Sequence, residues 1–146
     1  NKDSNNKFQS YFPRLITNTH GFINWDFDIV SLRNHIRAFS KPYPGASTFI
    51  KGEKIRIFNC EIKQSKYNHP FLHGLITNID QEEFQVQVKE GVLKIKRNDI
   101  YSQNKKLQLN LGDRFYTPQK YLEKAMTSRV FFNANGDFLR EYENIN

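Results

Sequence analysis

The spacing of hydrophobic residues changes once along the chain, close to residue 46. Before this point four apolar residues recur at offsets of three or four, as on one face of a helix: Ile29, Leu32, Ile36 and Phe39. Asp26 or Asp28 is placed to cap the start of that helix, because an aspartate side chain accepts from the free N–H groups of the first turn. Pro42 and Pro44 end it, since proline disfavours helical backbone in the preceding residue.

From residue 46 onward, apolar and polar residues alternate in short stretches that are separated by turn signals. These stretches lie at 48–50, 54–63, 72–79, 84–88 and 92–96. About five short strands at this spacing are typical of a small antiparallel sandwich or barrel. The pattern therefore predicts a mostly β fold, a small five-stranded OB-like antiparallel barrel. Phe58 interrupts the alternation and predicts a bulge.

The two ends of the chain add a polar tail at residues 1–7 and a helix followed by a short hairpin at the other end. Thr117 is predicted to cap the C-terminal helix, with Pro118 at its first position. Asn135-Gly136 predicts the turn of the hairpin. The expected fold is thus a helix-containing junction segment, then the barrel, then a C-terminal helix and hairpin.

The composition indicates a globular chain that does not depend on disulfide bonds. The 146 residues are 38% hydrophobic and include thirteen Phe. A single cysteine, Cys60, excludes an internal disulfide and fits a reducing compartment. No apolar run approaches the roughly 20 residues that a membrane span needs. The net charge of +7 is spread along the chain. It is compatible with a nucleic acid, a phosphorylated substrate or mere solvation.

The residue types that carry catalysis or bind metal are scattered. His69 and His73 are four apart, but they flank Pro70 without a cluster of Cys or carboxylates. A zinc site needs about four ligands, or three and a water, so we predict no metal site. Cys60 lies on a predicted strand and is interpreted as a buried structural thiol. His35 is interpreted as a surface or packing residue, and no catalytic residue is assigned.

Five basic residues are candidates for contact with a substrate or a nucleic acid: Arg37, Lys54, Arg56, Lys94 and Lys96. Alternation places Lys54 with Arg56, and Lys94 with Lys96, on one face of their strands. Each pair fits a nucleic-acid surface, or a solvated face whose lysines block edge-to-edge aggregation. Arg37 fits an ion pair with Asp26 or Asp28 across the junction, or a guanidinium that reaches into a substrate cleft.

Four short segments near the junction resemble a known family. They are Tyr11-Phe12-Pro13-Arg14, Gly21-Phe22-Ile23-Asn24-Trp25-Asp26, Ile36-Arg37-Ala38 and Tyr43-Pro44-Gly45-Ala46, with Leu32 between them. Their order and spacing resemble the second half of the formyltransferases that use 10-formyltetrahydrofolate. That family includes methionyl-tRNA formyltransferase and the sugar-nucleotide N-formyltransferases. The signature positions at the junction are Pro13, Arg14, Gly21, Ile23, Asn24, Trp25, Asp26, Arg37, Ala38, Pro44 and Gly45.

The resemblance implies a division into two parts. Residues 1–45 would be the end of the catalytic domain and a linker, and residues 46–146 the C-terminal OB-like barrel domain with its terminal helix. The family's catalytic Asn, His and Asp and its folate pocket lie upstream of the Pro-Arg element. We therefore expect a fragment that is inactive alone and binds no cofactor. The full enzyme would use 10-formyltetrahydrofolate, and the missing N-terminal catalytic domain would be a partner.

The resemblance leaves the acceptor and the other partners open. Tyr43 stands where the family often has Trp, His73-Gly74 where tRNA-type members usually have Pro-Gly, and residues 111–118 do not resemble a tRNA-type ending. These departures favour an amino sugar nucleotide as acceptor. The alternatives are a tRNA-binding barrel of a methionyl-tRNA formyltransferase, which is less favoured, and a non-catalytic interaction module. A homodimer is one candidate assembly, and no membrane partner is expected. The expected location is the cytoplasm.

Overall fold

The computed structural model describes residues 14–132 and 138–143. The predicted polar tail, Pro13 and the predicted Asn135-Gly136 turn lie outside these ranges. The helices are α1 (Thr17–His20), α2 (Ile29–Ala38) and α3 (Gln119–Thr127). The strands are β1 (Ala46–Ile50), β2 (Glu53–Ile57), β3 (Glu61–Gln64), β4 (Ile76–Ile79), β5 (Glu83–Val88), β6 (Gly91–Lys96), β7 (Ile100–Ser102), β8 (Ser128–Phe132) and β9 (Phe138–Glu143).

Helix α2 forms as its spacing predicts. Asp28 is the N-cap, and its Oδ1 accepts the backbone N–H of Ser31 at 2.8 Å. The apolar face of the helix, Ile29, Leu32 and Ile36, is fully buried. Of the two predicted caps, Asp28 is therefore correct and Asp26 is not the cap.

Seven strands form two antiparallel sheets, which confirms the mostly β prediction. Sheet A has the order β1-β2-β7, and sheet B has the order β3-β6-β5-β4. The chain passes from sheet A to sheet B through residues 58–60, and from sheet B to sheet A through the 3₁₀ turn Arg97–Asp99. The predicted strand at 54–63 is thus two strands, because the backbone leaves the ladder at Phe58, where the alternation is interrupted.

A short segment, residues 112–116, bridges the edges of the two sheets. Tyr116 pairs with Phe49 on β1, and Arg114 pairs with Leu75 beside β4. The N–H of Ile76 also donates to the carbonyl of Asp113 at 2.8 Å. The predicted five-stranded OB-like barrel is not seen as a closed barrel: within the described residues, seven strands form two sheets whose edges this segment bridges.

A single core joins the junction to both sheets. It includes Trp25 and Leu32 from the junction, Ile55 from sheet A, Phe84 from sheet B and Phe115 from the bridging segment. The predicted boundary between two domains at residue 45 stays a prediction. Core residues from both sides of this boundary pack in one cluster.

The C-terminal helix and hairpin are present, but the helix starts one residue later than predicted. Helix α3 begins at Gln119, and its N-cap, Pro118, makes no side-chain cap. Thr117 is not the cap, since its hydroxyl donates to the carbonyl of Ile23 at 2.6 Å. Strands β8 and β9 pair antiparallel, as expected for the hairpin.

Candidate functional site

The signature residues Gly21–Asp26 form a short extended segment beside β1. The N–H of Ile23 donates to the carbonyl of Ser47, and the N–H of Ser47 donates to the carbonyl of Gly21, both at 2.8 Å. A Cβ on Gly21 would lie 2.6 Å from the carbonyl oxygen of Thr17, so this position accepts only glycine without a shift. The segment therefore acts as a short parallel neighbour of sheet A.

Trp25 anchors this segment in the core. Its side chain is 6% exposed and stacks on Phe115 with ring centroids 5.6 Å apart. The indole Nε1–H donates to Thr48 Oγ1 at 2.8 Å, and the Thr48 hydroxyl contacts the carbonyl oxygen of Tyr116 at 2.9 Å. Since a buried indole N–H needs an acceptor, Thr48 is the residue that lets tryptophan occupy this site.

Asp26 fastens the junction to the loop before β4. One carboxylate oxygen lies 2.7 Å from Nδ1 of His73, whose ring is nearly buried. The other ring nitrogen, Nε2, lies 3.2 Å from the carbonyl oxygen of Asn68. Asn24 supports the turn, because its side-chain oxygen accepts the N–H of Asp26 at 3.0 Å. Asn24 and Asp26 thus shape and hold the junction.

The other signature positions lie at the surface or in the turn before β1. Pro13 is outside the described residues, while Arg14, Ala38 and Pro44 are exposed. Gly45 has φ of +100°, and a Cβ there would lie 3.0 Å from the Phe58 ring. This position therefore needs glycine both for its backbone conformation and for space.

Arg37 is exposed on α2 and makes no salt bridge within residues 14–132 and 138–143. The predicted pairing with Asp26 or Asp28 is wrong. Asp26 contacts His73, and Asp28 accepts the hydrogen bond of Ser31 as the helix cap. The substrate role of Arg37 stays a prediction.

The first basic pair lies among aromatic rings on the outer face of sheet A. The register places Lys54 across from Phe49, and Arg56 between Ser47 and Tyr101. The Lys54 ammonium sits 5.3 Å above the ring of Phe22. Burial lowers the pKa of Lys54, and the charge of Arg56 lowers it further. Two cations and aromatic rings therefore share one face, which the sequence pattern did not indicate.

The second basic pair lies among carboxylates on sheet B. The register places Lys94 between Glu61 and Gln85, and Lys96 across from Glu83. Cross-strand neighbours of opposite charge stabilise a sheet and weaken its outward positive potential. Lys94 and Lys96 thus match a solvated polar face better than a surface for a polyanion.

His35, His69 and His73 each contact a different part of the structure. His69 Nδ1 accepts the N–H of Phe71 at 3.1 Å, whereas His73 contacts Asp26. His35 packs on Phe39 with ring centroids 5.0 Å apart, and burial lowers its pKa. Within the described ranges, no group of three or more His, Cys, Asp or Glu side chains is arranged to hold a metal ion.

A family model supplies the observation that decides the family. The model described as "Formyl transferase, C-terminal domain" matches residues 15–109. The chain belongs to this family. The match covers the junction from residue 15 onward and all seven strands of the two sheets, so the family resemblance is confirmed.

Individual proteins similar to this formyl transferase C-terminal domain include two that are named methionyl-tRNA formyltransferases. A "Methionyl-tRNA formyltransferase" of Dictyoglomus thermophilum is 32% identical over 116 residues, which are 73% of this chain and 36% of the relative. One of Caldicellulosiruptor saccharolyticus is 35% identical over 81 residues, 56% of this chain and 26% of the relative. A "Bifunctional polymyxin resistance protein ArnA" of Wigglesworthia glossinidia brevipalpis is 33% identical over 78 residues, 53% of this chain and 11% of the relative. The chain spans at most about a third of these relatives.

Three residues of this formyl transferase C-terminal domain support the junction, or the loop that contacts it, in roles that the sequence did not predict. Thr48 and Thr117 place their hydroxyl oxygens 3.1 Å apart beside Trp25. Arg114 donates from Nη1 to the carbonyl of His73 at 2.7 Å, and from Nη2 to the carbonyl of Phe71. No local pattern marks them, since their partners lie 23 to 94 residues away in the chain. The presence of a buried tryptophan was the one available signal that an acceptor was needed.

Cys60 is buried, at 3% exposure, as predicted for a structural thiol. Burial raises its pKa from 9.0 to about 11, although Arg37 and Arg33 oppose the shift. The thiol therefore stays protonated at neutral pH and lacks the thiolate that reacts or binds metal.

We expect Cys60 of the folded domain to react with iodoacetamide at pH 8 about a hundredfold more slowly than in denaturant, because a pKa two units higher leaves a hundredth of the thiolate. The thiol proton is bound more tightly in the folded than in the unfolded protein. The stability that this difference contributes to the folded state is therefore complete below pH 9.0 and is lost as the pH rises through about 11. Mass spectrometry measures the rate of alkylation. Equal rates with and without denaturant would contradict a buried thiol.

None of the helices within residues 14–132 is both long and apolar enough to cross a membrane. The helices that hold the junction, α1 and α2, are four and ten residues long.

Proposed function

We propose that this domain is the C-terminal accessory part of an enzyme that transfers a formyl group from 10-formyltetrahydrofolate to an amine of an amino sugar nucleotide. Family membership carries the formyl-transfer part of the proposal. In such a reaction the lone pair of the acceptor amine attacks the formyl carbon. The resemblance assigns this chemistry to an Asn, a His and an Asp outside the described residues, and the domain itself would contribute architecture.

The architectural role is supported by the way the junction is held. Three side-chain contacts tie its signature segment to separate parts of the domain: Trp25 to Thr48, Thr117 to Ile23, and Asp26 to His73. A catalytic part joined at this segment would be held at a fixed angle to the two sheets. Reacting groups must be placed to within about an ångström, so such a rigid joint supports catalysis from a distance.

The amino sugar nucleotide is favoured over tRNA by two features. Residues 111–118, which do not resemble a tRNA-type ending, are built into the fold, since Tyr116 pairs with β1 and Thr117 with Ile23. The basic residues are also divided, because Lys94 and Lys96 face carboxylates. Of the two candidate pairs, only the pair on sheet A has no carboxylate across the strand, and two phosphate contacts would contribute little affinity for a nucleic acid.

The proposal is tested with the full-length protein that contains this domain and with the 146-residue chain as its matched control. Each is incubated with 10-formyltetrahydrofolate and either an amino sugar nucleotide or methionyl-tRNA, and formylated products are measured by mass spectrometry. We expect the formylated sugar from the full-length protein and no product from the chain alone. Formylation of methionyl-tRNA only would overturn the sugar acceptor, and turnover by the chain alone would overturn the accessory role.

A second candidate, contact with tRNA, is favoured by the outer face of sheet A. There the register places Arg56 beside Tyr101, whose ring is 44% exposed, and Lys54 beside Phe49. Cations next to an exposed ring suit a single-stranded nucleic acid, whereas Phe22 is buried under a neighbouring ring and offers no ring for stacking.

This candidate predicts tRNA binding that weakens steeply with salt, because phosphate contacts release counterions. The double variant Lys54→Gln with Arg56→Gln should then lose about two units of the salt slope in a filter-binding titration. The matched control is Lys94→Gln with Lys96→Gln, which removes the same charge from the face with carboxylates and should change binding little. Equal losses for the two double variants would exclude a specific patch on sheet A.

A further inference from the structure

A preformed cavity of about 430 Å³ lies between sheet A and the loop that follows β7. Ile55 and Ile100 line it from the sheet, and Leu107 and Leu109 line it from the loop. Ser102, Gln108 and Asn110 add polar side chains to this lining, so the cavity has a mixed surface. Its volume falls within the roughly 300–1,000 Å³ of small-molecule sites.

The cavity has one cation at its wall, Arg97. The Nε–H of this side chain donates to the carbonyl of Asp80 at 2.9 Å. Among the residues that the structure describes, no acceptor is bound to its Nη atoms. The Asp80 carboxylate lies near this guanidinium. Its Oδ1 accepts the N–H groups of Glu82 and Glu83 at 2.7 and 2.8 Å, and the charge of Arg97 contributes to lowering the pKa of Asp80. A guanidinium held at Nε, with Nη donors left over, is suited to a carboxylate or a phosphate.

The loop wall is clamped in place. Lys51 reaches across from the end of β1, and its Nζ donates to the carbonyl of Gln108 at 2.9 Å and contacts the Asp113 carboxylate at 3.0 Å. The same carboxylate accepts the N–H of Asn110 at 2.8 Å. A ligand would therefore enter a formed cavity and would not pay for ordering the loop.

We propose that this cavity binds a small organic anion, a carboxylate or phosphate monoester with an apolar body about the size of a ring. The apolar body would lie between the Ile55 and Ile100 wall and the Leu107 and Leu109 wall, and its anionic group would bind Arg97. The junction segment does not line this cavity, so the proposal does not depend on the formyl-transfer function.

The test is a titration of the 146-residue chain, labelled at Ile and Leu methyl groups, with benzoate and phenyl phosphate. Benzyl alcohol serves as the neutral probe of similar size. We expect the anions to shift the methyl resonances of Ile100, Leu107 and Leu109, and benzyl alcohol to bind at least about tenfold more weakly, since a charged hydrogen bond contributes a factor of that order.

Variants separate the charge from the cavity. Arg97→Gln should weaken both anions about tenfold or more, while Lys94→Gln, the same charge change on sheet B, should leave them unchanged. Leu109→Trp, which fills the cavity, should abolish the shifts with the chain still folded by its methyl spectrum. Equal binding of benzyl alcohol and benzoate, an unaffected Arg97→Gln variant, or no methyl shift up to the solubility of the probes would each overturn the proposal.

Discussion

Replacing Gly74 with alanine is expected to destabilise the domain by about 3 kcal/mol or more. Gly74 has φ of +91°, and a Cβ there would lie 2.2 Å from the carbonyl oxygen of Phe115. That oxygen belongs to the bridging segment 112–116, which donates back from the N–H of Phe115 to the carbonyl of Gly74 at 2.8 Å. The methyl group would therefore push the bridging segment away from β4. Urea unfolding of the two proteins measures the difference in free energy.

Gly112→Ala is the matched control for this change. Gly112 has a similar φ of +85°, but a Cβ there meets nothing within 4 Å. It should cost only the backbone strain of a left-handed alanine, about 1 kcal/mol. If the two variants were equally destabilised, backbone conformation would account for the whole effect and the contact with Phe115 would contribute nothing.

Trp25→Ala should destabilise the domain by about 3–5 kcal/mol, because it removes a buried ring from the point where the junction and both sheets meet. The indole packs on Phe115, and its N–H binds Thr48. Trp25→Phe keeps most of the ring volume and loses the hydrogen bond, so it should cost about 1–2 kcal/mol. Chemical denaturation with intrinsic tyrosine fluorescence follows both variants.

Tyr43→Ala is the control for the loss of an aromatic ring in the same junction. Tyr43 is 56% exposed, so its replacement should change stability by no more than about 0.5 kcal/mol. If Trp25→Ala and Tyr43→Ala had similar effects, the junction would not be part of the core in solution.

The three junction contacts have a functional consequence beyond stability. Under the formyl-transfer proposal, Trp25→Phe or Asp26→Asn would loosen the joint without touching substrate. Such positioning residues act through the geometry of the catalytic part, so the folded variants would lose rate while the fold persists. Gly74 lies on the opposite side of the same joint, next to His73, which contacts Asp26.

The local elements were predictable from the sequence because their causes are local. Helix α2 follows from its apolar spacing and from the cap at Asp28, both of which act within four residues. Strands β5 and β6 follow from strict alternation, which places every second residue in the core. The family resemblance likewise depends on short motifs, from Gly21–Asp26 to Gly45.

The errors occurred where a distant partner competed with a local signal. Thr117 has the sequence context of a helix cap, but the carbonyl of Ile23, 94 residues away, takes its hydroxyl. Arg37 has two carboxylates nearby in sequence, yet His73 takes one of them from another loop. A buried polar group must be satisfied, so tertiary contacts override a local preference that is worth only about 1 kcal/mol.

By itself the sequence determined the mostly β class, the junction helix and the family to which the chain belongs, because these depend on spacing and on short motifs. Only the tertiary structure decided what the basic residues face. Alternation places Lys54 with Arg56 and Lys94 with Lys96, but strand register sets aromatic rings beside the first pair and carboxylates beside the second. The cavity at Arg97 is likewise visible only in the fold, because Ile55 on β2 meets β7 and the loop after it, which begin 45 residues further along the chain at Ile100.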